Sequence, residues 1–174
     1  VADLVKVDVG RFERIILGID YGLAESGWGA VGWEFPGSPP YVIAYGVCRT
    51  RAGGDPWDRT DAMVDQLREV EEVTKATEVA MEDWGHRSAG KATTSHLMGL
   101  VIGGLLRGLH HRPRSVGITG EWHATLGLPY KGDKVDVATW VREGLRLDHT
   151  PKPDHASDAL SIALAAFSLP QLQR

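Results

Sequence analysis

The chain has 174 residues, 24% charged and 43% hydrophobic, with a formal net charge of −4. These proportions fit a water-soluble globular domain and exclude a disordered or collagen-like chain. The single cysteine, Cys48, excludes an intrachain disulfide and suits a reducing compartment, so a small core thiol and a cytoplasmic location are expected.

Residues 1–13 alternate charge, lack the apolar core of a signal peptide and read as an N-terminal extension. The run 14–19 is continuously apolar from Ile15 to Ile19, as suits a strand buried on both faces. Residues 26–35 alternate, and 41–49 are rich in Val, Ile and Tyr, with the turn sequence PGSPP at 36–40 between them. Three strands so closely connected predict an antiparallel meander. Met63, Val64, Leu67, Val70 and Val73 recur at helical spacing within 57–76. A fourth strand over 77–83, reached through that helix, is expected to run parallel to a central one. A polar loop (84–93), an apolar helix (94–110), a short strand near 116–118 and a short helix within 118–127 follow. An amphipathic helix spans 132–147, and a last one, with Asp154 as its N-cap, covers 155–167. The order β-β-β-α-β-α-β-α-α-α shows no repeat or linker and predicts a single α/β domain over 1–174. The longest apolar stretch, 97–109, is too short to span a bilayer, so no membrane association is expected.

Three acidic signatures carry the chemistry: GIDYGL at 18–23, VAMEDW at 79–84 and PDHASDAL at 153–160. Asp20 and Glu82 each stand where an apolar run stops, and parallel neighbouring strands would bring them side by side. His155 and Asp158 lie three apart, hence on one face of a helix. Buried carboxylates are costly unless paired or bound to a cation, and several converging together suit Mg²⁺ or Mn²⁺. A metal-dependent phosphoryl-transfer enzyme is the simplest expectation. Asp-x-Gly alone is equally the pattern of an ordinary turn.

Charge is unevenly spread. Residues 1–83 hold 8 Lys/Arg against 16 Asp/Glu, whereas 84–152 hold 10 against 5. The middle of the chain can therefore supply a basic face, or merely solvated helix surfaces. Trp84, His86, Arg87 and Lys91 combine an aromatic with cations, as suits stacking on unpaired bases beside phosphate contacts. The alternative is a Trp folded onto the core. Lys131 and Lys134 precede a helix start, where cations and backbone N–H groups can hold phosphate. The 94–110 helix, with Gly99, Gly103, Gly104 and Gly108, is either buried all round or shared with a second subunit.

With these residues in place, the chain resembles RuvC-type Holliday junction resolvases of the RNase H-like superfamily over about 14–168. ILGIDYGLAESGWGAV resembles the family's first strand pair, VAMED its second acidic motif, and KATTSHLMGLVIGGLL its long apolar helix. GDKVDVATWVREGL resembles the lysine-led helix, and PDHASDALSIALAA the closing catalytic helix, the most specific of these motifs. Tyr21 stands where the family usually has proline, and Trp84 lies nearer the glutamate than the family's stacking aromatic, marking a divergent member such as a phage-encoded one.

The resemblance implies an RNase H-like fold: a five-stranded mixed sheet, a three-strand antiparallel meander plus two parallel strands, flanked by helices. It implies a crossover junction endodeoxyribonuclease, a homodimer that cuts four-way and other branched DNA with two Mg²⁺ or Mn²⁺ ions per active site. The metal ligands would be Asp20, Glu82, His155 and Asp158. Lys134 would lie near the scissile phosphate, and His123 aligns with another basic, DNA-facing position. A YqgF-like RNA-processing nuclease shares Asp-Tyr-Gly but fits the closing motif less well. Sugar kinases share Gly-Ile-Asp-x-Gly but need two such domains. A non-catalytic junction-binding module has no need of four ligands.

Overall fold

The computed structural model describes residues 8–83, 92–128 and 134–169. Its strands are β1 (Arg14–Asp20), β2 (Glu25–Trp33), β3 (Tyr41–Arg49), β4 (Glu78–Met81) and β5 (Arg114–Ser115). Its α-helices are α1 (Pro56–Thr74), α2 (Ala92–Gly108), α3 (Thr119–Thr125), α4 (Lys134–Gly144) and α5 (Asp154–Ser168). The strands form one five-stranded sheet in the order β3-β2-β1-β4-β5. β1, β2 and β3 pair antiparallel, while β4 runs parallel to both β1 and β5. This is the mixed sheet that the meander and the helical crossover predict.

β1 is apolar from Ile15 to Ile19 because both its faces are covered there. Ile15, Leu17 and Ile19 join Trp28, Met63, Leu67, Val101 and Leu105 in a core beneath α1 and α2. Ile16 faces the other way, joining Val31, Ala80, Trp122, Val141 and Leu160 beneath α3, α4 and α5. On that second face β1 and β2 present glycine instead of bulk. A methyl group on Gly18 would lie 2.0 Å from the Ala159 carbonyl oxygen, and one on Gly27 would lie 2.0 Å from that of His155. The glycines thus let the backbone of α5 lie directly on the sheet.

Several boundaries differ from expectation. Asp154 is the first residue of α5 rather than its cap, a place taken by Pro153. β5 ends before 116 because Gly117 turns at φ +86, although Val116 N–H still donates to Met81 O at 3.1 Å. Val73 faces solvent, and Glu71 takes the buried side of α1. The end of α1 meets backbone rather than apolar surface there. Glu71 accepts from the N–H groups of His110 (2.8 Å) and His111 (2.7 Å), which would otherwise lack acceptors. Among the described residues, α2 is not covered on every side. Gly104 and Gly108 abut Val64 of α1, whereas nothing described lies within 4 Å of a methyl placed on Gly99 or Gly103. Among the described residues, no helix is long and apolar enough to cross a membrane.

Candidate metal centre

The site forms where the glycine-lined face meets the start of α5. Side chains alternate along β1, so Asp20 emerges on the same face as Ile16 and Gly18. Gly27 of β2 lies opposite Asp20 in the antiparallel register. Because Gly27 has no side chain, His155 can settle over this pair. His155 Nδ1 bonds Asp20 Oδ2, and a carboxylate only accepts, so Nδ1 is the donor. Asp158, one turn along α5, completes the group. One ligand atom from each of Asp20, His155 and Asp158 lies within 4.8 Å of the other two.

Glu82 approaches from the neighbouring strand. β1 and β4 pair with Gly18 opposite Ala80 and Ile19 opposite Met81, so the next step brings Asp20 level with Glu82. Glu82 stands beside the three-residue group rather than within it. Its Oε1 accepts the Thr119 hydroxyl proton from the start of α3. Burial pushes the Glu82 carboxyl above its ordinary range, and the charge of Asp20 adds to this. Donation from Thr119 acts in the opposite direction. The Tyr21 hydroxyl is also pushed up, by burial first and then by Glu82, Asp83 and Asp20. The pocket thus gathers negative charge at half-buried positions, with 23% of the Asp20 side chain and 44% of the His155 side chain exposed. Carboxylate oxygens with one imidazole fit Mg²⁺ or Mn²⁺. A cation there relieves the mutual repulsion that burial sharpens.

The remaining expected site residues divide in two. His123 is not at the surface: it is 4% exposed, edge-on to the Trp122 ring at 4.1 Å, because α3 turns it into the core. Trp84, His86, Arg87, Lys91 and Lys131 lie outside the described residues, as does the side chain of Lys134 at the first position of α4. Sequence reasoning missed Thr119, since a lone threonine at a helix start carries no signal of the partner its hydroxyl meets.

Residues 16–166 match the family model described as Crossover junction endodeoxyribonuclease RuvC. A protein of that name from Synechococcus sp. (strain WH7803) is 32% identical over 159 residues, covering 87% of this chain and 97% of its own. Another, from Cutibacterium acnes (strain DSM 16379 / KPA171202), is 30% identical over 151 residues, or 86% and 76% of the two chains. Among solved structures, T. thermophilus RuvC in complex with Holliday junction substrate superimposes with a TM-score of 0.74 at 22% identity. That match covers 88% of this chain and 93% of the other and shows a shared fold. The yeast mitochondrial Holliday junction resolvase has the same architecture more distantly, with a TM-score of 0.59 at 14% identity, over 88% and 77% of the chains.

Proposed function

Since the chain belongs to the RuvC family of crossover junction endodeoxyribonucleases, we propose that it cuts four-way DNA junctions at the centre built on Asp20. The observation that carries this reading is the convergence of Asp20, His155 and Asp158 from β1 and α5, with Glu82 beside them. Asp20, Glu82, His155 and Asp158 are the residues that would hold two divalent cations, Mg²⁺ or Mn²⁺.

Bound cations supply positive charge that favours ionisation of an attacking water and offsets charge developing on the phosphate. Asp20 anchors the site from the rigid end of a central strand, where its position cannot drift. His155 offers a nitrogen among oxygens, and its ring can assist proton transfer. Lys134, at the head of α4, suits contact with the scissile phosphate. Trp84, His86, Arg87, Lys91 and Lys131 are the residues we assign to the branched substrate, Trp84 by stacking on exposed bases.

Paired incision of a junction calls for two such sites, and we assign the chain to a homodimer. The side of α2 bearing Gly99 and Gly103 supports this reading, since no described atom lies within 4 Å of a methyl placed on either glycine. The deciding experiment incubates labelled four-way junction, fork and linear duplex with the protein, with and without Mg²⁺. Symmetrical incision of the junction in Mg²⁺ and none in EDTA is expected. Junction binding with no incision in either condition would reduce the protein to a binding module.

A further inference from the structure

β4 ends at Met81, so the strand does not itself orient the Glu82 side chain. A glutamate has three rotatable bonds, and without partners it samples many rotamers. The donors that restrain it come from α3. Thr119 gives its hydroxyl to Glu82 Oε1, and its backbone N–H points to the same carboxylate. The Trp122 indole is 2% exposed, and its Nε1 is buried with no hydrogen-bond partner among the described residues.

The mount beneath these donors is firm. Asp83 N–H donates to Gly117 O at 2.9 Å, tying the chain after β4 to the chain before α3. The Glu121 carboxylate accepts from Ile118 N–H at 3.1 Å and closes the first turn of α3. Trp122 itself is packed in the core with Ile16, Ala80 and Leu160.

We propose that Thr119 is a positioning residue of the metal centre, holding the Glu82 carboxylate where it completes the ligand set of Asp20, His155 and Asp158. The inference rests on the reading of Glu82 as a metal ligand. Partners that orient a ligating carboxylate typically contribute about 10–100-fold in metal affinity. Because Thr119 is exposed, its replacement leaves the core untouched.

The test measures Mn²⁺ binding to the full chain by calorimetry without DNA, for Thr119→Val, Thr119→Ser and Glu82→Gln. Thr119→Val should weaken Mn²⁺ about tenfold, and Thr119→Ser should restore it to within about twofold. Cleavage by Thr119→Val should recover as Mn²⁺ is raised, shifting the half-saturating concentration rather than the maximal rate. Wild-type Mn²⁺ affinity in Thr119→Val alongside weakened affinity in Glu82→Gln would overturn the positioning role and leave the metal centre standing. Wild-type affinity in Glu82→Gln would instead remove the ligand role of Glu82 on which the inference depends.

Discussion

Asp20 illustrates how little a single residue type says until its neighbours are placed. At the end of β1 it could be a turn aspartate; the His155 ring bonded to it makes it part of a centre. Asp20→Asn keeps the size but removes a charge. It should abolish junction cleavage, a loss on the order of several kcal/mol of transition-state stabilisation, while leaving junction binding within about twofold. Cleavage at the wild-type rate would end the metal-nuclease reading. A second residue-scale expectation concerns the opposite end of the sheet. Arg14 grips Glu78 with two donors, the second at 2.8 Å, and its guanidinium lies 5.1 Å from the centre of the Phe167 ring. Burial alone would raise the Glu78 carboxyl, but the hydrogen bond and charge of Arg14 outweigh it and leave the carboxyl below its ordinary range. The folded state therefore binds the proton less readily than the unfolded chain. The pair's stabilisation is present above the ordinary carboxylate range and lost as pH falls through the lowered value. Glu78→Gln should cost about 1 kcal/mol at neutral pH, given the part-exposed pair. In thermal unfolding the gap to wild type should close below that range, and a gap independent of pH would show that the ion pair is not its source.

At the scale of elements, the contact that makes the site is α5 against β1 and β2. The alanines of α5 were visible as an apolar face, but the complementary glycines lie far away in sequence. Ala156, Ala159 and Ala163 are fully buried, and Gly18, Gly27 and Gly29 provide the surface they approach. Gly27→Ala would put a methyl 2.0 Å from His155 O and 2.3 Å from its carbonyl carbon, both backbone atoms that cannot rotate away. The start of α5 must then lift, carrying His155 with it. We expect a stability loss of about 1–3 kcal/mol, as for other overpacked sites. Cleavage measured at a temperature where the variant is fully folded should fall at least tenfold, since displacements of about 1 Å can cost on the order of a hundredfold. An unchanged melting temperature together with unchanged cleavage would mean that α5 does not need this close approach.

For the whole molecule, the proposed homodimer turns on which surface a second copy would meet. α2 packs on α1 through Gly104 and Gly108, while Gly99 and Gly103 have no described neighbour within 4 Å. A groove of about 870 Å³ runs between the two helices, lined in part by Trp57, Leu100 and Gly103. Trp57 is 63% exposed. Gly103→Arg adds a bulky cation where the single chain has room, and removing a mid-helix glycine should leave the fold as stable or up to about 1 kcal/mol more so. If this side of α2 meets a second copy, the variant should sediment as a monomer and nick single strands of a junction without pairing the cuts. A dimer that persists at wild-type strength would place the interface elsewhere.

The sequence by itself determined the elements and their order, because hydrophobic period and turn chemistry are local properties. It also offered Asp20, Glu82 and Asp158 as candidate ligands, the first two where apolar runs stop, and the parallel pairing of β1 and β4 brings those two level. What only the tertiary structure decided depends on contacts between distant segments. The resemblance aligned His123 with a basic, DNA-facing position, yet the packing of α3 against the sheet turns it inward. Glu71 was one acid among many on a polar helix face, yet the backbone N–H groups of His110 and His111 draw it into the interior. The roles of Gly27 and of Thr119 follow the same logic. A glycine states only that a side chain is missing, and a threonine only that a hydroxyl is available. Which partner uses that space or that hydroxyl is fixed when α5 settles over β2 and α3 settles beside β4, 128 and 37 residues apart in sequence for the closest contacts.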